Sequence, residues 1–160
     1  RNDLSHVART GSVRVPDLLR IEEHPGLVHL VSDVQCGLAE GTQWSDIVDA
    51  TFPPGSVTGA PKSSALRIIN ECETAPRDVY CGAVGWIDAD RQAAELAVAI
   101  RTFWIRDDVL RFGTGAGITW GSDPHGEWQE TELKARRLCD IASRSLPAHH
   151  GVPMLRSVTG

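Results

Sequence analysis

The sequence has no run of 18 apolar residues, the length a membrane-crossing helix needs, so no helical span through a bilayer is expected and the protein reads as soluble. It also lacks an excess of positive charge. Sixteen basic residues stand against 21 acidic ones, a net charge of −5, the wrong sign for a chain whose affinity comes from neutralising phosphates. Nucleic acid and membrane are therefore not expected partners. Cysteine is sparse: Cys36, Cys72, Cys81 and Cys139 lie at wide, irregular intervals without a CxxC, which fits neither a zinc ribbon nor a dense disulfide framework. A reducing, cytoplasmic setting is the simplest one. There is no methionine at the start and no charged-then-apolar secretory leader; the chain opens Arg1-Asn2-Asp3-Leu4 and reads as cut from something longer.

What is present suits one ordinary globular domain: 160 residues, 41% hydrophobic and 23% charged. Residues 1–26 are polar and broken by Gly11, Pro16 and Pro25, with one short strand expected over Ser12–Val15. Leu27–Val34 reads as a strand with His29 and Ser32 on opposite faces. Trp44–Ala50 reads as a short helix opened by Thr42 and ended by Phe52-Pro53-Pro54. A glycine loop, Gly55–Lys62, then feeds a helix over Ser63–Cys72. Three strands, Val79–Ile87, Glu95–Arg106 and Val109–Phe112, imply an antiparallel meander. A second glycine loop, Gly113–Gly121, leads through Ser122-Asp123-Pro124 into a helix over His125–Ser143. From Leu146 periodicity is lost, and residues 146–160 are expected to form a frayed tail. The class is α+β.

Several residues could carry chemistry, each with a plain structural alternative. Glu127, Glu130 and Lys134 fall at i, i+3 and i+7 on the last helix, so all three project from one face. They are either an exposed Glu–Lys pair or two oxygen donors suited to Mg²⁺. The loop Gly55–Lys62 lacks the Walker spacing; it is either an anion-binding loop at a helix N-terminus or a turn. Gly113–Gly121 offers the same choice. Arg101 stands among the uncharged residues 96–105, where a buried guanidinium needs an anion: an internal carboxylate or a ligand's. His29 is otherwise a core or edge histidine, and Tyr80 an aromatic partner across strands.

Seven segments in order give these residues a context. They are Arg1-Asn2-Asp3-Leu4, Val28–Ser32, Phe52–Lys62, Tyr80–Gly85, Ala99–Thr102, Gly115–Ile118 and the run Glu127-Trp128-Gln129-Glu130-Thr131-Glu132-Leu133-Lys134-Ala135. Together they resemble the chorismate-utilising enzymes. The resemblance implies layered, largely antiparallel sheets flanked by helices, as in the chorismate-binding domain of anthranilate synthase type, with residues 1–145 forming the C-terminal portion of the catalytic domain. Gly-Ser-Val-Thr-Gly-Ala-Pro-Lys at 55–62 and the Glu-Trp-Gln-Glu-Thr run look most like aminodeoxychorismate synthase component I, which aminates chorismate to 4-amino-4-deoxychorismate for folate synthesis. Anthranilate synthase component I, of tryptophan synthesis, is the alternative, and a non-catalytic chorismate-binding module a further one.

By this resemblance Glu127 and Glu130 ligate Mg²⁺, which bridges to the ring carboxylate of chorismate, and Lys134 and the Gly117 amide hold that carboxylate. Tyr80 and Arg101 grip the enolpyruvyl carboxylate, and His29 and Ser56 lie near the departing C4 hydroxyl. Ammonia would come from a glutamine amidotransferase subunit or domain. The family's other metal-site glutamates and an attacking lysine would lie before Arg1, so the isolated chain is expected to be inactive. Two departures from the family pattern are Pro54 and Asp78, the latter where glycine often stands.

Overall fold

A computed structural model describes residues 1–24, 27–145 and 156–159. The chain forms two compact units, Arg1–Gly55 and Ser56–Gly160. The first contains α1 (Asn2–Ser5), β1 (Arg14–His24), β2 (Leu27–Gln35) and α2 (Trp44–Thr51). β1 and β2 pair antiparallel, from Arg14 opposite Gln35 to His24 opposite Leu27.

β2 falls where the alternating pattern placed it, whereas β1 corrects the expectation of a short strand at 12–15. It runs 11 residues because its two irregular positions are absorbed in register shifts, between Arg14 and Asp17 and between Asp17 and Arg20. Pro16, with no N–H to give, sits at the first shift; Leu19, at φ +54°, sits at the second and donates its N–H to Ser32 Oγ at 2.9 Å. α2 is opened by Gln43 rather than Thr42. The Gln43 N–H donates to Asp46 Oδ2 at 2.8 Å in a capping box, while Thr42 Oγ1 donates back to Ala39 O. Within this unit Val7 is buried, and the Gly55 N–H donates to Asp3 Oδ2 at 2.7 Å.

The second unit contains α3 (Lys62–Cys72), β3 (Ala83–Asp88), β4 (Ala93–Val98), β5 (Phe103–Arg106), β6 (Val109–Thr114), α4 (Pro124–Ser145) and β7 (Arg156–Thr159). β3 and β4 make one antiparallel hairpin; β5, β6 and β7 make a second sheet in which β6–β7 is parallel, reached through α4. This corrects the three-strand meander. The stretch Glu95–Arg106 is two strands in different sheets, broken where Ile100 N–H donates to Val98 O, Arg101 adopts φ +50° and Thr102 Oγ1 donates to Ile100 O. The apolar residues on both sides of Arg101-Thr102 suggest one strand, but periodicity reports burial and not chain direction, and the turn falls at that polar pair.

Cys81, Ala99 and Phe112 are the buried apolar side chains described in this unit, with the Phe103 ring tilted at 37° to that of Phe112, their centroids 4.8 Å apart. Of the expected frayed tail, residues 146–155 and 160 lie outside the described residues, while Arg156–Thr159 form β7. The α+β class with largely antiparallel pairing is as expected. Among the described residues no helix is long and apolar enough to cross a membrane.

Candidate functional site

The face of α4 is set at its first turn. The Asp123 carboxylate accepts from the Gly126 N–H at 2.8 Å, and Pro124 occupies the first helical position, where no N–H is required. Ser122 Oγ donates to Glu127 Oε1 at 2.6 Å and accepts from the Thr119 N–H at 2.9 Å, so Glu127 is held by the turn that precedes the helix. Farther along, Glu130 pairs with Lys134, whose Nζ also donates to Gly115 O at 3.4 Å. The Glu–Lys pair allowed by spacing is therefore formed, and its ammonium end reaches the second glycine loop.

Tyr80 meets the same loop. It lies in the turn before β3, not in a strand, which corrects the reading of it as a cross-strand aromatic. A Cβ placed on Gly113 would fall 2.6 Å from Tyr80 Cβ and 2.7 Å from Cδ2, and one on Gly115 would fall 3.0 Å from the Tyr80 hydroxyl. Glycine at both positions is what admits the ring. Tyr80, Gly115, Lys134 and Glu130 thus form one continuous line of contacts.

Burial pushes the Tyr80 phenol up to about 12, the neighbouring Cys81 thiol adds to this, and the Arg77 guanidinium opposes it. The Cys81 thiol is itself raised, by burial first. Tyr80 is the only tyrosine in the chain, so its titration can be read directly. The absorbance of its phenolate should rise with a midpoint near pH 12, against about 10 for a solvated phenol. Because the unfolded chain then loses this proton first, stability should fall as pH rises between about 10 and 12. A midpoint near 10 would contradict the burial of the ring.

Arg101 is exposed and stands in the turn between β4 and β5, making no ion pair among the described residues. The expectation of a buried guanidinium in an apolar strand is corrected, and of the two anions left open for it the internal carboxylate is not found among the described residues. Backbone bonds from Cys81 N–H to Ala99 O (3.0 Å) and from Ala99 N–H to Gly82 O (2.9 Å) bring this turn beside the Tyr80 segment. Asp78 adopts φ +51°, a conformation that favours glycine and that aspartate tolerates, and its carboxylate accepts from Arg106 at 3.1 Å.

Two further candidates in the second unit, Gly117 and Ser56, have no hydrogen bond or ion pair to this line among the described residues. Gly117 is exposed with open space around its Cα. Ser56 is exposed and immediately precedes Val57. His29, in the first unit, is exposed on β2 opposite Glu22, its ring 5.3 Å from that of His24. Sequence reasoning missed Arg77 and Glu73, which bind each other tightly; the available signal was an acid and a base four residues apart just past a helix end. As a metal site, Glu127 and Glu130 supply hard oxygen donors at i and i+3, the chemistry Mg²⁺ requires of one or two carboxylates. Among the described residues no third His, Cys, Asp or Glu converges on them.

The family model for chorismate binding enzymes matches residues 1–140, and the chain belongs to that family. Anthranilate synthase component 1 of Aquifex aeolicus is 46% identical over 138 residues, 86% of this chain and 28% of the relative. That of Neisseria gonorrhoeae is 45% identical over 142 residues, 89% of this chain and 29% of the relative. The crystal structure of anthranilate synthase component I from Streptococcus pneumoniae superposes with a TM-score of 0.74 at 38% identity, covering 86% of this chain and 31% of that one. The chain therefore spans under a third of the length of these relatives. These findings overturn the aminodeoxychorismate synthase assignment. It rested on single-residue preferences, such as Ser56 in an exposed loop, and such a position discriminates poorly because either small hydroxyl residue fits there.

Proposed function

We propose that this chain is the part of an anthranilate synthase component I that clamps chorismate, in an enzyme converting chorismate and ammonia to anthranilate, pyruvate and water for tryptophan synthesis. The similarity to relatives of that name supports the reaction. The geometry that carries the site is the line from the Tyr80 hydroxyl through Gly115 to Lys134 and Glu130. Chorismate bears two carboxylates, so holding it rigidly takes donors at two separated points. Lys134 and the exposed Gly117 amide would receive the ring carboxylate, and Arg101 and Tyr80 the enolpyruvyl carboxylate. Arg101 is suited to this because no internal carboxylate among the described residues competes for it, and its planar fork matches a carboxylate bidentately.

Glu127 and Glu130 would hold Mg²⁺, which when bound draws electron density from the ring carboxylate. Lys134, paired with Glu130, would present its donor end to Gly115 and the substrate. Ser56, exposed at the head of the first glycine loop, would orient the departing hydroxyl. His29 is assigned the same role by family resemblance. Ammonia would be delivered by a glutamine amidotransferase partner, and the four free cysteines support a reducing, cytoplasmic compartment. Product analysis tests the assignment. The full-length protein of the source gene, with chorismate, Mg²⁺ and ammonium, should release anthranilate detectable by mass spectrometry, whereas a different amination product would refute it.

A further inference from the structure

Arg77 lies between two segments assigned to substrate and belongs to neither. Its Nε donates to both oxygens of Glu73 at 3.0 Å, its Nη2 to Glu73 Oε1 at 2.6 Å, and its Nη1 to Val57 O at 2.9 Å. Its Cζ stands 5.7 Å from the centroid of the Tyr80 ring, and its carbonyl accepts from the Tyr80 N–H at 2.9 Å. Both ion-pair partners are largely withdrawn from water, at 25% and 18% side-chain exposure. A guanidinium this occupied has one orientation. Glu73 fixes the fork, the fork fixes the carbonyl of the residue after Ser56, and the cation faces the ring of Tyr80, whose other boundary is the backbone of Gly113 and Gly115.

We infer that Arg77, clamped by Glu73, is the positioning residue that sets the Tyr80 hydroxyl and the Ser56–Val57 segment for chorismate. The inference rests on the chorismate-clamping reading of the site and adds to it a residue that touches no substrate atom. Its effect has two parts. The cation beside the ring draws density from the phenol and strengthens its hydroxyl as a donor to a carboxylate. The bond to Val57 ties the first glycine loop to the same guanidinium, so loop and ring are held together rather than separately.

The test is a double-mutant cycle on the full-length enzyme, with KM for chorismate, kcat and Tm measured for Arg77→Lys, Tyr80→Phe and the pair. Lysine keeps the charge and loses the fork. Arg77→Lys should raise KM about tenfold with kcat changed less than about threefold, and adding Tyr80→Phe should raise KM little further, because residues acting through one another are not additive. Glu73→Gln, which keeps the shape and one acceptor, should give a smaller rise of about threefold and the same non-additivity with Tyr80→Phe; this cycle decides if Arg77→Lys does not fold. Multiplying KM effects, or a lowered Tm with KM unchanged, would overturn the positioning role. A parent enzyme that turns over no chorismate would instead refute the underlying reading, and the inference with it.

Discussion

Full-length enzyme carrying Glu130→Ala should form anthranilate at least about a hundredfold more slowly than the parent, because the change strikes two functions at once. It removes one of the two α4 carboxylates proposed to hold Mg²⁺, and it releases Lys134 from the partner that fixes its ammonium beside Gly115. The loss should be steepest at low Mg²⁺ and only partly relieved by excess metal. Glu130→Gln, which retains an acceptor for Lys134 but not the charge, separates the two functions: its defect should lie mainly in the Mg²⁺ concentration needed for half-maximal rate. Activity of Glu130→Ala within a few-fold of the parent at all Mg²⁺ concentrations would remove this residue from the metal site.

The second large effect is expected at a position with no chemistry of its own. Gly113 is buried, and a methyl group there would enter the ring of Tyr80, within 2.7 Å of Cβ and Cδ2. The ring cannot give way freely, since its turn is tied to Arg77 and its neighbour Cys81 pairs with Ala99. Gly113→Ala should therefore cost about 1–3 kcal/mol of stability, the usual range for overfilling a packed site, read as a Tm lower by several degrees, and should raise KM for chorismate as Tyr80 is displaced. Gly115→Ala makes the informative comparison. Its methyl group would meet only the hydroxyl end of the ring, at 3.0 Å, so its effect should fall on KM more than on Tm. Equal Tm values for the parent and Gly113→Ala would show that Tyr80 does not pack where the structure has it.

These expectations differ in how much of them could be read from residue order. The face of α4 was legible because it is local: three residues at i, i+3 and i+7 share a side of any helix, whatever surrounds it. Segment order was legible too, and it led to the family that the comparisons establish. The branch within the family was not. It hung on Ser56 and its neighbours in an exposed loop, where substitution carries little structural penalty, and identity along 138 residues outweighs such a position.

By itself, then, the sequence determined the α+β class, the family and the acidic and basic face of one helix, since each follows from composition, motif order or spacing along a single element. Tertiary structure alone decided that Tyr80 rests on Gly113 and Gly115, that Arg101 stands in a turn rather than a strand, and that Arg77 joins Glu73, Val57 and the Tyr80 ring. The physical reason is that Tyr80 lies far along the chain from Gly113 and Gly115, and Arg77 from Val57, so which of these residues meet depends on where the backbone turns, at a glycine that admits a ring or, as at Arg101, a residue that takes a positive φ, and not on the apolar pattern on either side.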